Sequence, residues 1–296
     1  MRFAGSILVI LSACSFGLMP LFNRWATSGG ANTETMLFLR FSIAGAVLAA
    51  FMLGKGARWP RGRTLLTLVF MGAILYVGEA QSYFYGLKYA PSGLISLLLY
   101  LNPAMITLAS RLLYRERLTP PRTLALGLAL LGLALTIRLD RETHIEGVLL
   151  GLGCAAIYAT YLLVGARVMK SAGALPSGTL VIISAACTFG LLAWWRGVSL
   201  PHTPLGWSGA VGLALISTVI GIVAMLEGMR RIGAVRASTL ATLEPVATAS
   251  VGALALHEKL FPIQMLGGVL IIMAAIIMTT AGSAAGRARA EPEAHP

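Results

Sequence analysis

Three charged residues lie deep in stretches otherwise too apolar to hold them: Arg40, Glu79 and Glu244. A fourth, Glu227, lies nearer a segment end. At the centre of a bilayer such a charge costs about 2.5–3.5 kcal/mol, so each needs a partner or a wet cavity. Polar aromatic stripes run beside them at helical spacing: Gly72, Tyr76, Glu79 and Tyr83, then Ser96, Tyr100, Pro103 and Thr107. Cys154, Tyr158 and Tyr161 share a third face. Tyrosine rings with hydroxyls stack on, and hydrogen-bond, a small amphipathic solute. Asn102 and Glu244 each precede a proline, Pro103 and Pro245. A helix-interior proline has no N–H and clashes with the carbonyl four residues earlier. Leu99 and Ala241 therefore carry freed acceptors, and both prolines are expected to break their helices.

These residues give a candidate solute site of Phe16, Tyr76, Glu79, Tyr83, Tyr100, Asn102, Tyr158 and Glu244. For any single aromatic, ordinary helix packing is the competing role, and for the prolines a simple packing kink. Arg40 and Glu79 are expected at similar depth, roughly 10 Å from one face at about 1.5 Å per residue. An ion pair gating the cavity is the expectation. A structural pair away from any solute, or an Arg40 that snorkels outward alone, are the alternatives. Glu244 is expected to read a cationic group or carry a coupling proton. Asn102 and Tyr100 are two residues apart, about 200° round a helix, so both face one cavity only if the helix is locally distorted. Glu227 precedes Arg230 and Arg231 by three and four residues and reads as an interfacial salt-bridge partner.

Other chemistries find no residues. Cys14, Cys154 and Cys187 lie in apolar runs without a CxxC and read as small buried thiols. The four histidines have no metal-ligand spacing. There is no Ser/His/Asp set, HExxH or DxxD, and no GxxxxGK[ST] loop. No enzyme activity, cofactor or metal is expected, and transport energy must come from a gradient or a partner.

The elements that position these residues follow from composition. Of 296 residues, 57% are hydrophobic and only 11% charged, against about 25% in a soluble domain. The formal net charge of +12 alone would suggest nucleic acid. A mean hydropathy of +0.82 excludes that, along with a soluble enzyme or a disordered chain. Leu11-Ser12-Ala13-Cys14 resembles a lipoprotein cleavage box, but the apolar run continues to Phe22, so an uncleaved membrane helix is expected.

A bilayer-crossing helix needs about 20 apolar residues. That window gives ten spans: 4–22, 35–53, 65–86, 92–113, 123–138, 147–166, 178–195, 206–228, 235–256 and 263–281. Thr119-Pro120-Pro121 and Pro262 are start signals, and Gly54-Lys55-Gly56 a stop. With the N-terminus in the cytoplasm, 16 of the 23 Lys and Arg fall in inner loops, six in outer loops, and Arg40 within a span. The positive-inside rule then places both termini in the cytoplasm of a multi-pass inner-membrane protein. All five tryptophans fall near span ends, as interfacial anchors should.

Two halves of five spans must insert with opposite orientation. Shifting residues 86–118 by 142 aligns them ungapped with 228–260, with eight identities in 33. Pro103 meets Pro245, Glu116 meets Glu258, and Asn102 meets Glu244. By the same shift Phe16 meets Tyr158, Arg40 meets Ile182 and Glu79 meets Gly221, so neither of the latter charges recurs. The expected architecture is an all-α membrane protein of ten transmembrane helices in a 5+5 inverted repeat: 1–140 (helices 1–5), 145–283 (helices 6–10) and a cytoplasmic tail, 284–296. Gly147-x-x-x-Gly151 with Gly153, and Gly127 with Gly132, permit close helix contact. Packing within the chain and a homodimer both stay open.

Pro103 followed by Arg115-Glu116-Arg117-Leu118, repeated as Pro245 followed by His257-Glu258-Lys259-Leu260, resembles the EamA-type drug/metabolite transporters. Leu39-Arg40-Phe41 is similar to that family's arginine in the second span. The resemblance covers about 5–281. Ser15-Phe16-Gly17 departs from it, lacking a tryptophan common in the first span. It implies a 5+5 bundle that moves small metabolites, most often outward, with Glu116 and Glu258 as span-end anchors. The expectation is a secondary transporter using alternating access on an amino acid or similar amphipathic solute. Alternatives are an importer of the same fold, or a membrane enzyme or flippase acting on lipid-linked substrates. A channel would need a ring of matched polar groups.

Overall fold

The computed structural model describes residues 2–102, 104–106, 120–136, 143–232, 237, 240–259 and 261–288. Every regular element among them is helical. In chain order these are α1 (Phe3–Ser28), α2 (Thr33–Gly54) and α3 (Gly62–Gly86), α4 (Ser92–Leu99), α5 (Pro120–Thr136), α6 (Ile145–Ala172) and α7 (Ala174–Arg196), α8 (Pro204–Ile232), then α9 (Leu243–Ala255) and α10 (Pro262–Ala288). Six of them, α1–α3 and α6–α8, are long and apolar enough to cross a membrane, while α4, α5, α9 and α10 carry shorter apolar stretches.

The local chemistry sets the boundaries. α10 begins on Pro262, where a missing N–H is harmless; the residues before Pro120 lie outside those described. Asn32 caps α2 by accepting from the Thr35 N–H at 2.8 Å, and Thr203 caps α8 by accepting from Gly206 at 3.0 Å. α2 ends at Gly54, followed by a left-handed Gly56. α1 runs through Cys14 and is interrupted at Leu18, just before Pro20.

α2 packs on α7, α5 on α10 and α4 on α9. α1 packs on α8 and α9, while α3 and α4 pack on α6. Glycine permits the closest approaches. Gly151 seats Leu98, Gly147 seats the backbone of Tyr89, and Gly132 meets Gly267 and Ile271. These three serve packing within the chain, whereas Gly127 and Gly153 have nothing within 4 Å. Outward faces carry Leu66, Leu131, Leu191 and Leu254 with over half their surface exposed, and Trp194 and Trp195 are exposed at the end of α7. Such surfaces suit lipid, not water.

Two helices widen into π turns, Met71–Tyr76 in α3 and Leu213–Ile220 in α8. Each inserts an extra residue in its turn, and such turns gather at functional sites. They begin at positions 142 apart, the offset of the sequence repeat.

Candidate functional site

α4 stops at Leu99, and Tyr100 and Leu101 form a turn before helix resumes at Asn102. α9 likewise starts after a turn at Thr242. Pro245 is buried in the first turn of α9; Pro103 lies outside the described residues. Both freed carbonyls have acquired side-chain donors. The Asn102 amide donates to the Leu99 carbonyl at 2.9 Å. The Tyr100 hydroxyl reaches across to α9 and donates to the Ala241 carbonyl at 2.5 Å, with a Glu244 carboxylate oxygen at 3.1 Å. The turn at 100–101 is the distortion that lets Tyr100 and Asn102 serve different partners. Asn102, expected to bind solute, has its amide N–H engaged on its own helix.

Tyr76, Glu79 and Tyr83 of α3, Tyr100 in the turn after α4, Tyr158 of α6 and Glu244 of α9 form one electrostatically connected cluster. Tyr158 stacks on Tyr161 at 6.0 Å and 9°, Tyr161 meets Tyr76 at 5.8 Å, and Tyr76 meets Phe41 at 5.5 Å. Phe41 in turn stacks on Phe189 at 5.6 Å. Glu79 has the Cys154 thiol 3.7 Å from its Oε1. Phe16 sits instead against Gly221 of α8. The repeat offset pairs Phe16 with Tyr158 and Gly221 with Glu79, so the polar half of the cluster comes from α3 and α6.

The expected Arg40–Glu79 ion pair is not formed. Among the described residues the ion pairs are Glu34–Arg196 at 2.7 Å and Glu227 with Arg230 and Arg231 at 2.7 and 2.9 Å. The Arg40 side chain is taken elsewhere. Its Nε donates to the Thr218 hydroxyl at 2.8 Å, and its guanidinium lies 4.8 Å from the Phe41 ring centre and 5.4 Å from that of Phe84. Thr218 belongs to the π turn of α8, and its hydroxyl donates on to the Leu213 carbonyl at 2.8 Å. Arg40 is 3% exposed. It interacts with Glu79 through space, not by contact.

Thr218, Phe41, Phe84 and Tyr161 complete the cluster without having been named as site residues. The repeat carries a signal for Thr218, since it is the counterpart of Tyr76. Cys154 is a buried thiol as expected and stands beside a carboxylate, whereas Cys14 and Cys187, also expected to be buried, are exposed. Glu227 holds Arg230 and Arg231 as its spacing indicates. Glu258 accepts from the Ser92 N–H at 3.0 Å and the Ser92 hydroxyl at 2.8 Å, which caps α4. Glu116 lies outside the described residues.

Apolar helices of membrane-crossing length, interrupted helices and a buried charged aromatic cluster together define a multi-pass membrane transporter. The EamA-like transporter family model matches residues 3–138 and again 145–280, and the chain belongs to that family. It is 29% identical to an uncharacterized transporter of Archaeoglobus fulgidus, over 92% of this chain and 95% of that one. It is 26% identical to the uncharacterized transporter YyaM of Bacillus subtilis, over 82% of each. The threonine/homoserine exporter RhtA of Escherichia coli (strain K12) is 27% identical over 86% of each chain. A solved crystal structure of a protein shares the fold, with a TM-score of 0.65 at 22% identity, over 95% of this chain and 99% of that one.

Proposed function

We propose that the protein is an alternating-access exporter of small zwitterionic metabolites of the amino-acid class. One observation carries this reading. The Arg40 guanidinium is buried and has no carboxylate in contact among the described residues; its only hydrogen-bond partner is Thr218 through Nε. A buried guanidinium without a counter-charge is costly. A solute carboxylate supplies that counter-charge when it enters, and its ammonium group falls to Glu79 and Glu244 among the tyrosine faces. Two carboxylates against one guanidinium leave one of them available to carry a coupling proton when the solute is a simple zwitterion.

The twofold family match, the π turns 142 residues apart and the paired helix breaks support a 5+5 inverted repeat, 1–140 and 145–283, that rocks about this cluster. The basic inner loops support cytoplasmic termini. The named exporter among the relatives supports outward transport.

The test is counterflow of labelled threonine and homoserine in proteoliposomes, with and without an imposed proton gradient. Exchange is expected with the native chain and at least tenfold less with Arg40→Gln or Glu244→Gln. Full-rate exchange by both variants, with the same proton dependence, overturns the reading.

A further inference from the structure

Beside the central cluster, a separate cavity of about 530 Å³ opens where the C-terminal part of α1 and the ends of α3, α4 and α9 meet. Small-molecule sites span about 300–1,000 Å³. Its floor is Phe84, 2% exposed, whose ring also lies on the Arg40 guanidinium. The Phe84 ring therefore borders both this vestibule and the buried cluster.

The vestibule is lined by two cations, Arg24 and Lys88, and a single carboxylate, Glu258. Glu258 is already committed. His257 adopts the left-handed conformation, φ 57°, which turns the chain so that the Glu258 N–H donates to the Gly252 carbonyl at 2.9 Å. This bond closes the C-terminus of α9 around a left-handed residue that is not glycine. Its product is a Glu258 carboxylate placed on the N-terminus of α4, where it takes three hydrogen bonds from Ser92. Neither Arg24 nor Lys88 has an ion-pair partner among the described residues. Lys88 rests its ammonium 4.2 Å from the Tyr85 ring centre, which keeps the charge and supplies no anion. Thr33, 3% exposed, lines the same space and carries a hydroxyl. The cavity thus offers two unneutralised cations and a neutral donor.

We propose that this vestibule is a second solute site, which holds the carboxylate of a small organic anion between Arg24 and Lys88 and shares the Phe84 ring with the Arg40 cluster. It reads one carboxylate and needs no ammonium group, so its ligand range is wider than that of the buried cluster. It does not depend on the central reading.

Trp25 lines the vestibule and supplies the reporter. Purified protein in a neutral detergent is titrated with sodium butyrate, n-butylammonium chloride serving as the opposite charge. Butyrate is expected to give a saturable change in tryptophan emission that disappears in Trp25→Phe. Labelled butyrate is expected to be retained in equilibrium dialysis. The affinity reported by Trp25 should fall at least tenfold in Arg24→Gln/Lys88→Gln and stay unchanged in Arg61→Gln, an exposed cation outside the cavity, and butylammonium should give no response. Equal butyrate affinity in the double variant overturns the proposal, as does a failure to retain butyrate. A Trp25 response that survives the double variant and is lost in Arg40→Gln overturns it as well and moves the anion to the central cluster. A response abolished by added phosphatidylglycerol assigns the two cations to lipid phosphates instead.

Discussion

The Tyr100 hydroxyl bonds the Ala241 carbonyl, the acceptor left without a backbone donor by Pro245 four residues later. One half of the chain thus satisfies a backbone group that the other half's proline has released. Tyr100→Phe strands that carbonyl inside the bundle, at about 1–3 kcal/mol. Pro245→Ala supplies the missing N–H from within α9. The loss caused by Tyr100→Phe should therefore shrink by at least 1 kcal/mol in the Pro245→Ala background, a coupling of the size contacting residues show. Thermal unfolding of the four proteins in detergent reads this cycle, and additive effects would show that the two groups do not share the carbonyl.

The Tyr76–Glu79–Tyr83 stripe was legible in the sequence because it obeys helical spacing, and so were the freed carbonyls, because proline chemistry is local. The partner of Arg40 was not. Depth along a span can be counted from its end, but the direction round the helix depends on how helices pack. Arg40 and Glu79 are expected at comparable depth and yet make no ion pair. Thr218, the residue that holds Arg40, is 178 positions away and sits in a π turn that shifts the helical phase. Tyr100 and Asn102 looked incompatible until the turn between α4 and Asn102 separated their directions. The expected span 235–256 includes residues outside those described; within it residues 237, 240 and 241 are helical, and after a turn at Thr242 a helix stands at 243–255.

Glu258 and Ser92 join the ends of α9 and α4. Removing an N-cap acceptor costs about 0.5–2 kcal/mol. Glu258→Ala should lose about that much, because the Ser92 N–H and hydroxyl lose their acceptor together. Ser92→Ala should lose less, since its N–H keeps the carboxylate. Unfolding midpoints in detergent order the two, and an equal loss would remove the cap from the account.

Glu34 lies in the first turn of α2, with its side chain only 5% exposed, and accepts from Tyr85 and Arg196 at 2.7 Å each. Arg196 is 44% exposed. The pair is therefore unequal: removing the arginine leaves a nearly buried carboxylate, while removing both leaves little unsatisfied. Arg196→Gln should cost about 1 kcal/mol, in the upper part of the range for partly exposed pairs. The Glu34→Gln/Arg196→Gln double variant should cost no more than Glu34→Gln alone. High salt should narrow the difference. Chemical or thermal unfolding at two ionic strengths checks both statements.

Thr218 holds Arg40 by its Nε and is itself tied to Leu213, so it fixes the guanidinium's direction. Thr218→Val keeps the shape and removes the hydroxyl. The buried charge then loses its one protein acceptor, and a hydrogen bond to a charged group is worth about 1.5–3 kcal/mol. If Arg40 receives the solute carboxylate, the freed guanidinium must be reoriented at each binding event. KM for labelled threonine should then rise about tenfold, with kcat less affected, and a serine in place of Thr218 should restore KM because it restores the hydroxyl. A role in packing alone predicts the reverse order. Valine, which fills the same volume, would then behave as native, while serine, which lacks the methyl group, would be the impaired variant.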